Sequence, residues 1–267
     1  MSNTISVGLG KGKWIHCGRG LLVVLPCVVM AGALCLASDC FAQEKAAAQA
    51  KSSEELEWEK VLEKSLGFYL EGYKKAKVAG QETCWDYVKD APKLPRVLLI
   101  GDSISRGYTL PTRHALAGKV NLHRIPCIST RTSKGLAQLD GWLGKSKWDV
   151  IHFNFGIHDR NTDTESYAAN LEKIVVGLEQ TGAKLIWASS TPAPETGQYA
   201  GDAAIVKRNE IAAGIMKKHN IPIDDLYGFA KPRQAELQIP GDCHFKEEKY
   251  ELFGQQVAQS IIGALGK

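Results

Sequence analysis

RVLLIGDSIS, residues 96–105, is the stretch whose reading decides the fold. Its apolar run, Val97 to Ile100, is short and uninterrupted, as expected of a strand buried on both faces in a parallel sheet. The run stops at Gly101, and the tripeptide Gly101-Asp102-Ser103 places a serine just past the strand's carboxyl end. In open α/β sheets, binding and catalytic sites gather at that edge. A serine there carries an exposed hydroxyl, and the backbone N–H groups of the turn, its own included, can face an oxyanion. The plainer alternative is that Asp102 or Ser103 simply caps the next helix.

Outward from this stretch, strand and helix patterns alternate. Strands are expected at 97–100, 120–125, 150–155, 184–190 and 221–223, and helices at 108–117, 133–143, 165–181, 203–219 and 246–265. The alternation predicts a three-layer α/β/α sandwich around a mostly parallel sheet of about five strands. Right-handed crossovers then bring the strand carboxyl ends to one rim. Ser103, the GIHD segment (156–159) and the TPAP segment (191–194) all converge there.

A serine becomes a useful nucleophile only beside a base. The candidate lies far downstream in GDCHF, residues 241–245, where Asp242 and His244 stand two apart ahead of the last helical pattern. In extended chain, residues two apart project to one side, so the pair can face one site while Cys243 points into the core. The order Ser, Asp, His suits a triad, which is defined by geometry rather than by spacing. Other histidines lack a motif: His123 and His152 fall in strand patterns and read as core or sheet-face residues. No CxxC pair or clustered ligand set points to a metal, and no cofactor is expected.

These blocks resemble the SGNH (GDSL-type) hydrolases, from about Trp85 to the C-terminus. Gly101-Asp102-Ser103 matches that family's first block, and the resemblance makes Ser103 the nucleophile, His244 the base and Asp242 its acid, on a flavodoxin-like fold. The family's oxyanion hole is a backbone N–H at the nucleophile, a glycine N–H from the second block and an asparagine side chain from GxND. In this chain the third block reads Gly156-Ile157-His158-Asp159, so His158 stands in place of the asparagine; a neutral imidazole N–H also donates a hydrogen bond. The second block, ISTRTSKGL (128–136), has its glycine at Gly135 inside a helical pattern, which leaves Thr130 as the positional equivalent. The fifth block is DxH instead of DxxH, with Gly241 at the usual acid position. The expected oxyanion donors are therefore Ser103, Thr130 and His158. Asn154, Arg106 and Arg160 near the rim are candidates for substrate contact, and for Asn154 a structural hydrogen bond is an equal alternative.

The N-terminus has a different character. Lys11, Lys13 and Arg19 precede an apolar run from Leu21 to Leu36, and Cys40-Phe41-Ala42 has small residues where a signal peptidase reads. This predicts a signal peptide, 1–42, with cleavage after Ala42 and a secreted or periplasmic product. Pro26 and the short run argue against a stable membrane span. Removing the leader takes Lys11, Lys13, Arg19 and Asp39 and lowers the formal charge from +4 to +2, a balance with no basic stripe for nucleic acid. Cys84, Cys127 and Cys243 remain, which allows one disulfide with a free thiol or three free thiols. Residues 43–93 form a helical extension and lead-in, with Leu56, Trp58, Leu62, Leu66 and Phe68 as a partial apolar stripe. They read as a spacer or packing arm, and residues 94–267 as the hydrolase domain.

The expected function is an exported serine esterase acting through an acyl-enzyme on short acyl esters, O-acetyl esters of carbohydrates foremost. The rivals are a lipase or lysophospholipase of the same fold and a non-catalytic carbohydrate-binding protein on a decayed hydrolase scaffold.

Overall fold

Five parallel strands in the order β2-β1-β3-β4-β5 make the central sheet of a computed structural model that describes residues 51–266. The expected signal sequence, 1–42, lies outside the described residues. The strands are β1 (Arg96–Ile100), β2 (Asn121–Arg124), β3 (Val150–Phe153), β4 (Lys184–Ala188) and β5 (Ile223–Asp224). Val97 pairs with Leu122 on one side and Val150 on the other, so the strand that precedes Ser103 is interior to the sheet. The chain reverses direction of travel across the sheet between β2 and β3, and the crevice beside β1 and β3 is where a doubly wound sheet binds ligands.

Helices cover both faces. One layer holds α4 (Thr132–Leu143), α5 (Thr164–Glu179) and α6 (Asp202–Lys218), which close a core of Ile151, Phe153, Leu171, Ile174, Trp187 and Met216. The other holds α3 (Ser103–Ala115) and α9 (Tyr250–Leu265), packed over Val97, Leu99, Ile186, Phe253, Val257 and Ile261. Two short helices, α7 (Leu226–Ala230) and α8 (Gln234–Leu237), lead to the segment that carries His244. Alternate residues of β1 therefore serve opposite cores, as the pleat requires.

Helix α3 begins at Ser103, five residues before the expected start, and runs through Pro111. Its sequence, SISRGYTLPTRHA, is poor in strong helix formers, so packing rather than propensity sets its length. Asp102 is its N-cap, the carboxylate accepting the Ile104 N–H at 2.8 Å. The crossing with α9 is tight: a Cβ on Gly254 would run into Pro111 and come within 2.8 Å of the Thr112 backbone nitrogen. Gly254→Ala is expected to destabilise the protein by about 1–3 kcal/mol through overpacking. Denaturant titration checks it, and a Cm equal to wild type would contradict the close crossing.

The N-terminal arm departs from a single helix. It is two helices, α1 (Ser53–Ser65) and α2 (Leu70–Val78), separated by a tight turn at Gly67–Tyr69 in which Gly67 has a φ of +54°. Leu62, Leu66 and Tyr73 bury against Cys84, Trp85 and Ile128, and the Trp58 indole donates to the Trp85 carbonyl at 2.7 Å. The arm is thus fixed to the catalytic layer. The three described cysteines, Cys84, Cys127 and Cys243, are all free and buried. Among the described residues no helix is long and apolar enough to cross a membrane.

Candidate active site

Ser103 occupies the first turn of α3, so its N–H has no intrahelical acceptor and adds to the positive end of the helix. The turn beneath it is held by a buried arginine. Arg124, at the end of β2, donates to the carbonyls of Gly101 at 3.1 Å and Asp102 at 3.0 Å and to Ser105 Oγ at 2.5 Å. Burial drives its guanidinium pKa below the usual value. Sequence reading gave Arg124 no role, because an arginine at a strand end normally reads as solvated.

His244 comes from a small hairpin. Gln238 and Phe245 form an antiparallel bridge, and the Ile239 N–H donates to the His244 carbonyl at 2.9 Å. The tip turns through Pro240-Gly241, closed by the Asp242 N–H donating to the Ile239 carbonyl at 3.0 Å. Gly241 has a φ of +73°, which a carboxylate-bearing residue would adopt only under strain. The position that bears the acid in DxxH is therefore spent on the turn, and Asp242 is the carboxylate brought to the histidine.

The three side chains form one chain of hydrogen bonds. His244 Nε2 lies 2.7 Å from Ser103 Oγ, and His244 Nδ1 lies 2.6 Å from Asp242 Oδ1. The same carboxylate oxygen accepts the His244 backbone N–H at 3.0 Å. Burial pushes the Asp242 carboxyl up, but the two hydrogen bonds from His244 outweigh it and hold the group below its usual value. An imidazole so held, with its Nδ1–H on a carboxylate, presents Nε2 as the acceptor for a serine proton. Cys243 is buried against Ile157, Ala193 and Ile205, but it does not turn away from the pair as expected: in this tight turn its Sγ lies 3.6 Å from His244 Nδ1 and borders the same cavity. Burial, and after it the carboxylates of Asp102 and Asp242, push its thiol well up, so it is a neutral core residue. Asp242, Cys243 and His244 also have metal-ligand proximity, yet the carboxylate and Nδ1 are satisfied by each other.

A cavity of about 370 Å³ opens over Ser103 and His244, within the range of small-molecule sites. Thr130 and His158 line it beside Ser103, so all three expected oxyanion donors border one space. His158 Nε2 is buried with no hydrogen-bond partner, while its backbone carbonyl accepts from Arg131 Nε at 3.3 Å. Asp159 locks this loop to the Thr130 loop. Its carboxylate accepts the Thr132 N–H at 2.8 Å and the Thr132 hydroxyl at 3.0 Å, and Arg208 on α6 donates to its carbonyl at 3.0 Å. Gly156 is needed because a Cβ there would collide with Ser190 Oγ. Gly135 is likewise a packing glycine inside α4, closed against the Phe155 ring.

The expected substrate contacts divide. Arg160 lines the cavity, its guanidinium 5.8 Å from the Tyr199 ring. Asn154 does not reach the cavity: its amide donates to the Ala188 carbonyl at 2.7 Å and Ser190 Oγ at 3.1 Å, joining β3 to β4. Arg106 faces a neighbouring cavity, 5.4 Å from the Tyr69 ring. The sequence reading missed the arm's part in the site. Leu66, Gly67, Phe68 and Tyr69 form one wall of the cavity, where a spacer or packing arm was expected. The residues that signal it, Gly67 between two helical stretches and the adjacent Phe68-Tyr69, carry no catalytic motif.

A parallel α/β sheet with a serine at a strand end, hydrogen-bonded through histidine to a carboxylate, defines the serine hydrolases as a class. Residues 99–252 match the model of the GDSL-like lipase/acylhydrolase family, and the chain belongs to that family. It is a serine ester hydrolase on the SGNH α/β fold. The lipase/acylhydrolase from Enterococcus faecalis is similar at a TM-score of 0.57 and 22% identity, over 64% of this chain and 96% of that one. An acetyl xylan esterase, AlAXEase, is similar at a TM-score of 0.55 and 14% identity, over 62% of this chain and 100% of that one. The acetylxylan esterase Axe2 from Geobacillus stearothermophilus is similar at a TM-score of 0.51 and 15% identity, over 65% and 94%. No curated protein matches the sequence.

Proposed function

We propose that the protein hydrolyses short acyl esters, O-acetyl esters of carbohydrates foremost, through an acyl-enzyme on Ser103. The observation that carries the reading is the unbroken relay from Ser103 Oγ through His244 to Asp242, at 2.7 and 2.6 Å, opening on one cavity. His244 takes the hydroxyl proton as Ser103 Oγ attacks the ester carbonyl. The resulting imidazolium is stabilised by Asp242 and returns the proton to the leaving alcohol. Water, activated by the same histidine, then releases the acid. The oxyanion is received by the Ser103 N–H, a backbone N–H at Thr130 and the His158 side chain. The polar mouth, with Arg160, Lys134 and Tyr199, supports a hydroxylated alcohol part. The acetylxylan esterases on the same fold favour the same substrate class. One observation favours a second reading, a lipase-type esterase: Leu66, Phe68, Ile128 and Ile157 give the cavity an apolar side that a longer acyl chain would fill. A decayed, non-catalytic scaffold is disfavoured by the intact relay. We also propose that residues 1–42 direct export and that 43–93 and 94–267 work as arm and hydrolase domain of the exported protein.

Turnover of p-nitrophenyl acetate, butyrate and octanoate and of acetylated polysaccharides, run beside Ser103→Ala, tests the assignment. Preference for acetyl and release of acetate from polysaccharide are expected; preference for octanoate would move the function to the lipase reading, and no turnover would overturn it. His158 permits a sharper test. His158→Ala is expected to lower kcat by about a hundredfold with little change in KM, as loss of one oxyanion donor does. His158→Asn restores a side-chain N–H donor and is expected to recover much of that loss. A purely structural histidine would instead lower Tm in both variants and leave turnover per folded molecule near wild type.

A further inference from the structure

A second cavity, of about 430 Å³, lies behind the Gly67–Tyr69 turn. Phe68 and Tyr69 line both it and the catalytic cavity, so this turn is the partition between them. The walls are aromatic and charged at once. Tyr69, Trp85 and Tyr250 contribute rings, while Arg106, Glu82 and Glu247 contribute ionic groups of both signs. Tyr69 and Trp85 stand with ring centroids 5.4 Å apart. Gly107 makes room for one ring, because a Cβ there would overlap Tyr250.

Two donors at this cavity's lining residues are unpaired. Trp85 Nε1 and Arg106 Nε are buried and have no hydrogen-bond partner. They are two of eight such buried side-chain atoms among the described residues, and they point to an acceptor here only together with the ionic and aromatic lining of the cavity. An acyl chain supplies none and would gain nothing from carboxylates. A small anion would meet Glu82 and Glu247. A sugar ring fits the whole set: its hydroxyls donate to carboxylates and accept from guanidinium or indole N–H, and its C–H faces lie on aromatic rings. Phe68 adds a platform at the rim, 83% exposed and tilted 35° against Tyr69 with centroids 4.0 Å apart.

We propose that this second cavity is a saccharide subsite that binds a sugar unit of the ester's alcohol part, next to the unit whose acyl group is at Ser103. The proposal rests on the carbohydrate-ester reading above and adds its location. It gives the N-terminal arm a substrate-binding role, with selectivity for oligosaccharide over simple esters set in part by residues outside the matched family region.

The test uses the full chain and three variants, Phe68→Ala, Arg106→Gln and Glu247→Gln, with O-acetylated xylotriose and cellotriose against p-nitrophenyl acetate. The ratio of kcat/KM for the acetylated oligosaccharide to that for p-nitrophenyl acetate is expected to fall about tenfold or more in each variant, mainly through KM. Glu247 is exposed and lines the second cavity but not the catalytic one, so its variant keeps the fold and remains a valid test even where Arg106→Gln does not and where Phe68→Ala acts on both cavities. In parallel, Trp fluorescence of Ser103→Ala titrated with unacetylated xylotriose and cellotriose is expected to saturate with at least one sugar, and to require higher sugar concentrations once Glu247→Gln is added. Wild type that releases acetate from these oligosaccharides, with the ratio unchanged in the variants, overturns the subsite alone. Wild type that cleaves p-nitrophenyl acetate but no acetylated saccharide overturns the carbohydrate-ester reading and the subsite with it.

Discussion

Ser103→Ala is expected to reduce ester turnover by roughly 10⁴-fold or more, because removing the nucleophile of a triad abolishes the covalent route and leaves only binding and oxyanion stabilisation. The loss falls on kcat, since Oγ is one atom in a cavity lined by many residues and contributes little to ground-state binding. The fold is expected to survive. Ser103 sits at the helix N-terminus and packs no core, and the cap is made by Asp102, whose carboxylate holds the Ile104 N–H. The one group left unpaired is His244 Nε2, which borders the cavity and can take water. A serine-directed phosphonate is expected to label wild type at Ser103 and to leave the variant unlabelled. Substantial activity in the folded variant, or labelling at another residue, would remove Ser103 from the mechanism.

The middle of the sheet was legible because its interior strands are buried on both faces and are written mainly in apolar residues. Val97 to Ile100 and Val150 to Phe153 carry that signal, and the GDS and GIHD segments follow directly from where such runs stop. The start of α3 was less legible. Serine, glycine, threonine and Pro111 depress local propensity, and the helix exists because α9 packs on it through Gly254 and because the sheet lies beneath. Three-dimensional neighbours likewise decided Asn154, whose amide is used by β4 before any ligand could compete for it. Arg124 and Arg208 were missed for the same reason: a buried arginine is recognised by the carbonyls it binds, and those belong to loops remote in sequence. The arm was read as a helix with an apolar stripe, which it has, but a stripe reports only that a face is buried. That Leu66, Phe68 and Tyr69 would wall the cavity depends on the turn at Gly67 and on Trp85 as its anchor.

The second large effect concerns Asp242, and here the departure from DxxH makes the outcome informative. Asp242→Asn is expected to lower kcat about a thousandfold or more, as in triads that lose control of the histidine tautomer. The carboxylate can only accept, so it fixes the proton on Nδ1 and leaves Nε2 as the acceptor facing Ser103. An amide turned to donate reverses that assignment and opposes Nε2–H to the serine hydroxyl. It also removes the negative charge that stabilises the imidazolium. Its environment keeps that charge in place: the two hydrogen bonds from His244 overcome the effect of burial, and the carboxyl stays ionised below the usual carboxylate range. Both wild-type bonds end on Oδ1, so an amide turned to donate to Nδ1 gives up the His244 N–H, but the hairpin is still held by the Ile239 N–H on the His244 carbonyl and by the turn at Gly241. Kinetics and Tm measured on the same preparation separate tautomer control from loss of structure. A kcat within about tenfold of wild type, in a protein that melts normally, would mean that Ser103 and His244 work as a dyad and that the carboxylate only shapes the loop.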